Sequence, residues 1–135
     1  MRIETCFLFD LDGTLVDSVY QHVLAWNQAL DAEGISLSVW RIHRKIGMSG
    51  GLFTNQLLRE TGRAISDEHV ARLGRLHADA YGRLSRQIRP LPGAKTLLDT
   101  LTGAGIPWAI ATSGRMETAR VISTPSASIR TGSRS

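Results

Sequence analysis

The strongest chemical signal in the chain is a pair of acids one residue apart, Asp10 and Asp12, within Phe7-Leu8-Phe9-Asp10-Leu11-Asp12-Gly13-Thr14-Leu15-Val16-Asp17-Ser18. The short apolar run from Cys6 to Phe9 reads as a buried strand, and Gly13 as the turn that follows it. Ser18, with Gln21 three positions on, has the spacing of a helix-starting capping box. Residues i and i+2 of a strand share a face, so the two carboxylates leave the strand end aimed the same way. They converge at the carboxyl end of a strand, where open parallel sheets bind ligands. Asp, Gly and Thr are also ordinary turn formers, and an arbitrary Asp-x-Asp can do no more than close a strand.

The wider context favours chemistry. The string from Asp10 to Ser18, set directly behind an apolar strand, resembles without a gap the first motif of the haloacid dehalogenase superfamily of phosphotransferases. The resemblance implies that Asp10 is the nucleophile and Asp12 the general acid/base. It also implies a Mg²⁺ ion held by Asp10 and Asp12, and a place for Gly13 in the phosphate-binding loop.

A length of 135 residues suits one modest domain. With 42% hydrophobic and 21% charged residues, the chain reads as soluble and globular. No apolar run approaches the roughly 18 residues that span a membrane, and the N-terminus lacks a basic-then-apolar signal. A cytoplasmic location without membrane partners is therefore expected. The single cysteine, Cys6, is expected to be a small buried hydrophobe in a reducing compartment. The net charge of +4 belongs mostly to the tail, because four arginines and one acid from Gly114 onward leave only +1 for the rest. No nucleic-acid partner is expected from a charge so placed.

Beyond the acidic loop, Val19, Val23, Trp26 and Leu30 recur at helical spacing, widened by Tyr20 and Leu24, and predict a helix over 19–33 stopped by Gly34. Ser38 starts a shorter helix to about Ile46, Leu52 to Leu58 build a third that Gly62 ends, and Ser66 precedes a fourth that runs to about Gln87. Four helices with short connections can bury their stripes as a bundle. In the family this chain resembles, such a helical cap is inserted after the first motif and closes over the active site.

Arg89-Pro90-Leu91-Pro92-Gly93 is a stiff exit from the bundle. A helix over 94–101 and an apolar strand, Pro107 to Ala111, then suit one more unit of a parallel α/β sheet. Thr112-Ser113-Gly114 follows, and its position resembles the family's second motif. The resemblance assigns the Thr112 hydroxyl and the Ser113 amide to the transferring phosphoryl group. The expected fold is therefore α/β: a partial Rossmann-like core over 1–17 and 89–122 with two recognisable parallel strands, and an inserted four-helix cap over 18–88.

The pattern then breaks. No lysine follows Lys95, no Asp follows Asp99, and Glu117 is the one later acid, so the family's phosphate-binding lysine and its further metal-binding acids have no counterparts. The C-terminal half of the core is expected to be missing, and the Ser/Arg-rich stretch 123–135 to be a disordered, unrelated tail of a truncated sequence. The first strand would keep an unpaired edge through which the chain could self-associate. Arg44, Lys45 and Gly47, in a basic segment before a glycine-rich turn, resemble the family's cap specificity loop, against the plainer reading of a solvated helix face. The expected activity is that of a phosphatase-type hydrolase of small phosphorylated metabolites, of the phosphoglycolate-phosphatase or β-phosphoglucomutase-like kind, working through an aspartyl phosphate. The alternatives are a sugar-phosphate mutase or a catalytically inactive fragment that serves as an interaction module.

Overall fold

Parallel strands cannot be joined by a tight turn and need a long crossover, and that requirement shapes the chain. The computed structural model describes residues 5–48, 50–62, 66–112 and 128–131, the last segment by its backbone. Strand β1 is Phe7–Phe9. Helices α1 (Val19–Ala32), α2 (Val39–His43), α3 (Gly50–Glu60) and α4 (Asp67–Leu84) follow, the last extended by a 3₁₀ turn at Ser85–Gln87. Helix α5 (Ala94–Gly103) leads to β2 (Trp108–Thr112), and β3 is Ser128–Thr131. The strands lie in the order β1-β2-β3, all parallel, with Phe9 opposite Ile110 and Ile110 opposite Ile129. Among the described residues no helix is long and apolar enough to cross a membrane.

Two compact units result, one made of the residues up to Ser18 with those from Ile88 on, the other of Val19–Gln87. In the helical unit, Val23, Trp26 and Leu30 of α1, Ile42 of α2, Phe53, Leu57 and Leu58 of α3 and Leu73 of α4 form one buried core. The apolar spacing in the sequence selects most of these positions, but Tyr20 and Leu24 are exposed. Ser66 caps α4 by accepting a hydrogen bond from the His69 N–H at 3.2 Å. Ser38 stands at the start of α2 without a side-chain capping bond. Where α1 packs on α4, Trp26 stacks on His77, His22 stacks on Tyr81, and His22 Nδ1 lies 3.4 Å from His77 Nε2.

In the sheet unit, Leu11, Leu15, Val16, Ile88, Leu98 and Ile110 are fully or almost fully buried. Helix α5 packs on β2, and the Trp108 indole N–H donates to the Thr102 hydroxyl at 2.9 Å. The segments that flank the helical insertion are tied to each other: the Asp17 N–H donates to the Arg89 carbonyl, and the Leu91 N–H to that of Leu15, both at 2.9 Å. Val16 and Pro90 thereby face one another in an antiparallel bridge.

Three expectations are corrected. Strand β1 is not buried, since Leu8 is 69% exposed and Phe7 also faces outward. Its apolar run is what a strand covered on both faces requires, but among the described residues it has a neighbour on one edge only. Cys6, just before it, is exposed for the same reason. The third difference lies in the stretch expected to be disordered, where Ser128–Thr131 adds a strand to β2. Unpaired N–H and C=O groups on a parallel edge are satisfied by a short extended segment, and Ser-Ile-Arg-Thr contains two β-branched residues that suit one. Glu117, the one acid after Asp99, lies outside the described residues.

Leu57 is buried in the helical core, and truncating such a side chain costs about 2–5 kcal/mol. Leu57→Ala is expected to lower the thermal unfolding midpoint of the helical unit, followed by far-UV circular dichroism, whereas Leu52→Ala at an exposed position leaves it within experimental error.

Candidate active site

The acidic loop is closed by its own backbone. The Leu11 carbonyl accepts from the N–H groups of Thr14, Leu15 and Val16 at 3.2, 2.9 and 3.2 Å, and the Gly13 N–H donates to the Val16 carbonyl at 2.9 Å. Gly13 sits at φ 72°, a conformation that side chains with a Cβ resist. Leu11, Leu15 and Val16 are buried beneath the loop. Because the side chain of Leu11 goes inward, its neighbours Asp10 and Asp12 are left on the outer side of the chain.

Each acid accepts a short hydrogen bond. The Leu11 N–H donates to Asp10 Oδ1 at 2.7 Å, and the Ser18 hydroxyl donates to Asp12 Oδ1 at 2.5 Å. Asp10 is exposed and Asp12 half-buried, while Ser18 is fully buried. Such bonds to a carboxylate are short and strong, and they restrict its rotation. The reciprocal capping box expected of Ser18 and Gln21 is not made, since among the described residues Gln21 Oε1 is buried without a hydrogen-bond partner, and the Ser18 proton goes back to the loop, six residues upstream. The sequence carries the signal for this in the spacing of Asp12 and Ser18 around a Gly-centred turn, and the helix-start pattern overlies it.

Thr112 ends β2 and is 6% exposed. Since Phe9 pairs with Ile110, Asp10 follows directly after the last paired residue of β1, and Thr112 lies two positions beyond that of β2. Adjacent strands run about 4.8 Å apart, so the two strand ends that carry Asp10, Asp12 and Thr112 are side by side. Ser113 lies outside the described residues.

The remaining candidates are in the helical unit. Arg44 occupies the C-terminal cap of α2, and Gly47 takes φ 100° in the turn after it. Lys45 forms an ion pair with Glu60, which no local pattern in the sequence reveals. Arg44 and Lys45 line a groove with Trp40, Arg41, Gln56 and Glu60, among others. Among the described residues no three His, Cys, Asp or Glu side chains converge as a metal cage. Two carboxylates are nonetheless hard oxygen donors that suit Mg²⁺, which is commonly held by one or two acids with water and substrate phosphate.

The fold is shared with known proteins. The family model of haloacid dehalogenase-like hydrolases matches residues 5–129. Hexitol phosphatase A of Escherichia coli (strain K12) is 38% identical over 120 residues, covering 84% of this chain and 50% of that protein. The crystal structure of a hydrolase from Pseudomonas syringae is 55% identical with a TM-score of 0.83, over 94% of this chain and 61% of the other. A candidate β-phosphoglucomutase from Bacteroides vulgatus, 22% identical, shares the fold with a TM-score of 0.80, over 94% of this chain and 54% of its own. The chain thus spans about half to three fifths of the length of these relatives.

Removing the Ser18 hydroxyl leaves a half-buried carboxylate with one donor fewer, a loss of about 1–3 kcal/mol. Ser18→Ala is expected to lower the unfolding free energy measured in urea by that amount, against less than about 0.5 kcal/mol for the exposed Thr14→Ala. Equal stability of the two variants would show that the Ser18–Asp12 bond does not hold the loop.

Proposed function

We propose, for a chain that belongs to the haloacid dehalogenase-like hydrolase family, the chemistry of a phosphatase acting on small phosphate esters through an aspartyl-phosphate intermediate. The supporting observation is the placement of Asp10 and Asp12 at the end of β1, beside the end of β2 that carries Thr112. On this reading an Asp10 carboxylate oxygen attacks phosphorus in line with the ester oxygen, and the bond from phosphorus to that oxygen breaks as Asp12 protonates it. Asp12, now ionised, takes a proton from water, whose oxygen attacks the aspartyl phosphate and releases inorganic phosphate and the Asp10 carboxylate.

The surrounding contacts serve those two roles. The Leu11 N–H fixes the rotamer of the nucleophile. The Ser18 hydroxyl orients Asp12 and acts only through it, as a positioning group. Thr112, Ser113 and the close backbone approach allowed by Gly13 receive the phosphoryl oxygens. Asp10 and Asp12 would hold Mg²⁺, which offsets the repulsion between a phosphate dianion and two carboxylates. Arg44, Lys45 and Gly47 select the non-reacting part of the substrate. The name of the Escherichia coli relative, a hexitol phosphatase, supports a phosphorylated sugar alcohol as that substrate.

A second reading has its own observation. With no lysine after Lys95 and no Asp after Asp99, these residues supply neither the family's lysine to meet the dianion nor its later acid to help hold the metal, and each such preorganised group is commonly worth about 10²–10³ in rate. The 135 residues alone are therefore expected to turn over slowly. The outward-facing β1, with Phe7 and Leu8 exposed, further supports self-association of the chain. Sedimentation velocity is expected to show a concentration-dependent larger species that Leu8→Lys suppresses; a concentration-independent monomer would rule this partner out.

Turnover of p-nitrophenyl phosphate with Mg²⁺ tests the main proposal. Weak activity that falls to the uncatalysed background in Asp10→Asn, and on chelation of the metal, is the expected result. Activity that survives Asp10→Asn would exclude Asp10 as the nucleophile.

A further inference from the structure

The seam between α1 and α4 carries a polar contact that the acidic loop does not use. His22 of α1 and His77 of α4 are both half-buried, their ring planes differ by 10° and their centroids lie 5.5 Å apart. His22 Nδ1 is 3.4 Å from His77 Nε2, so the rings meet edge to edge through those nitrogens, one N–H donating to the other's lone pair. Aromatic rings close the pair in. Tyr81 lies flat on His22 with centroids 4.1 Å apart, and Trp26 lies on His77 at 4.2 Å, backed by Phe53 of α3. Trp26 and Phe53 belong to the buried core of the helical unit, so a shift of either imidazole is passed to that core.

The contact tolerates one extra proton but not two. With both rings neutral, one nitrogen donates and the other accepts. One added proton leaves an imidazolium donating to an imidazole, a charge-assisted and stronger bond. A second gives each ring an N–H at the meeting point, so that two donors and two like charges oppose each other over 3.4 Å. The surrounding charges do not offset this. Arg72 pairs with Glu33, and Arg83 donates to the Gln28 amide, so these links along the seam bring no net negative charge. Asp79 is exposed and two residues from His77, a spacing that puts it on a different face of α4. Asp31, Asp67, Glu68 and Arg75 are exposed as well. From α2 and α3, Lys45 pairs with Glu60 and His43 stacks on Tyr20, while Arg41, Arg44 and Arg59, with Arg86 in the 3₁₀ turn after α4, are further cations.

We propose that His22 and His77 form a proton-operated latch on the α1–α4 contact, shut while the pair holds at most one extra proton and forced open when both rings are imidazolium. Unfolding separates the rings and removes the conflict, so the unfolded chain takes up the second proton more readily and acid draws the helical unit towards it. The latch supports the fold at neutral pH and loses that support as pH falls through the range, about pH 5 to 8, in which histidine changes charge. It involves no residue of the acidic loop and stands apart from the phosphoryl-transfer reading.

Urea unfolding of the full chain, followed by far-UV circular dichroism at about pH 7.5 and about pH 5, tests the latch against His77→Gln and His22→Gln. Each variant keeps a polar side chain but leaves one titratable ring in the pair. Between the two pH values the folding equilibrium constant of the parent is expected to fall at least about tenfold further than that of either variant. Lost ring stacking lowers the stability of the variants at both pH values alike, so the pH difference is the readout. NMR titration of the imidazole signals follows the pair directly. His22 and His77 of the parent are expected to protonate in two coupled steps, and the remaining ring of either variant in one step, at higher pH than the parent's second. An equal pH effect on the parent and both variants, or independent single-step titration of His22 and His77 in the parent, would overturn the inference. If one variant fails to fold, the other and the parent's own titration still decide it.

Discussion

Parallel pairing of β1 with β2 is the constraint on which the rest depends. It sets Phe9 against Ile110 and so brings two carboxyl-terminal strand ends together, although the residues concerned are about a hundred positions apart in the chain. A parallel pair demands a long connection, and here the connection holds a complete helical unit with its own buried core. The acidic loop can then be short and rigid, because its neighbours are positioned by the sheet and not by the loop. The backbone register of β1 on β2 decides whether a hydroxyl at Thr112 and two carboxylates can meet one ligand.

Within that frame, the loop is organised by one carbonyl. Three N–H groups point at the oxygen of Leu11, and the buried Leu11 side chain anchors the turn from below. The flanking acids consequently face outward, each held by a short hydrogen bond. Two carboxylates on the same side of so short a loop repel each other unless a cation or a proton is shared between them. That cost is the physical reason to regard the loop as a site and not as a turn that closes a strand.

Much of this was legible in the sequence because the signals are local. The apolar runs before Asp10 and before Thr112 read directly as strands, and the 3.6-residue spacing of Val23, Trp26 and Leu30 as a helix face. Burial was less legible, since it depends on partners elsewhere in the chain: Leu8, Tyr20 and Leu24 are apolar and exposed. Composition misled at Ser128–Thr131, where backbone pairing with an open sheet edge outweighs a polar, serine-rich sequence. Of the candidate site, Asp10 and Asp12 were carried by their own motif. The Ser18 hydroxyl was obscured by a competing helix-start pattern, and the pairings of Lys45 with Glu60 and of His22 with His77 join residues too distant in sequence for any periodicity to reveal.

The central claim is that one named carboxylate forms a bond to phosphorus. Mass-spectrometric mapping of the chain after incubation with acetyl phosphate and Mg²⁺, quenched in acid to preserve an acyl phosphate, addresses it most directly. The predicted result is a phosphoryl group on the peptide containing residues 10 to 12, located at Asp10 by fragmentation and absent from Asp10→Asn. A phosphoryl group on Asp12 or on another carboxylate, with Asp10 unmodified, would contradict it.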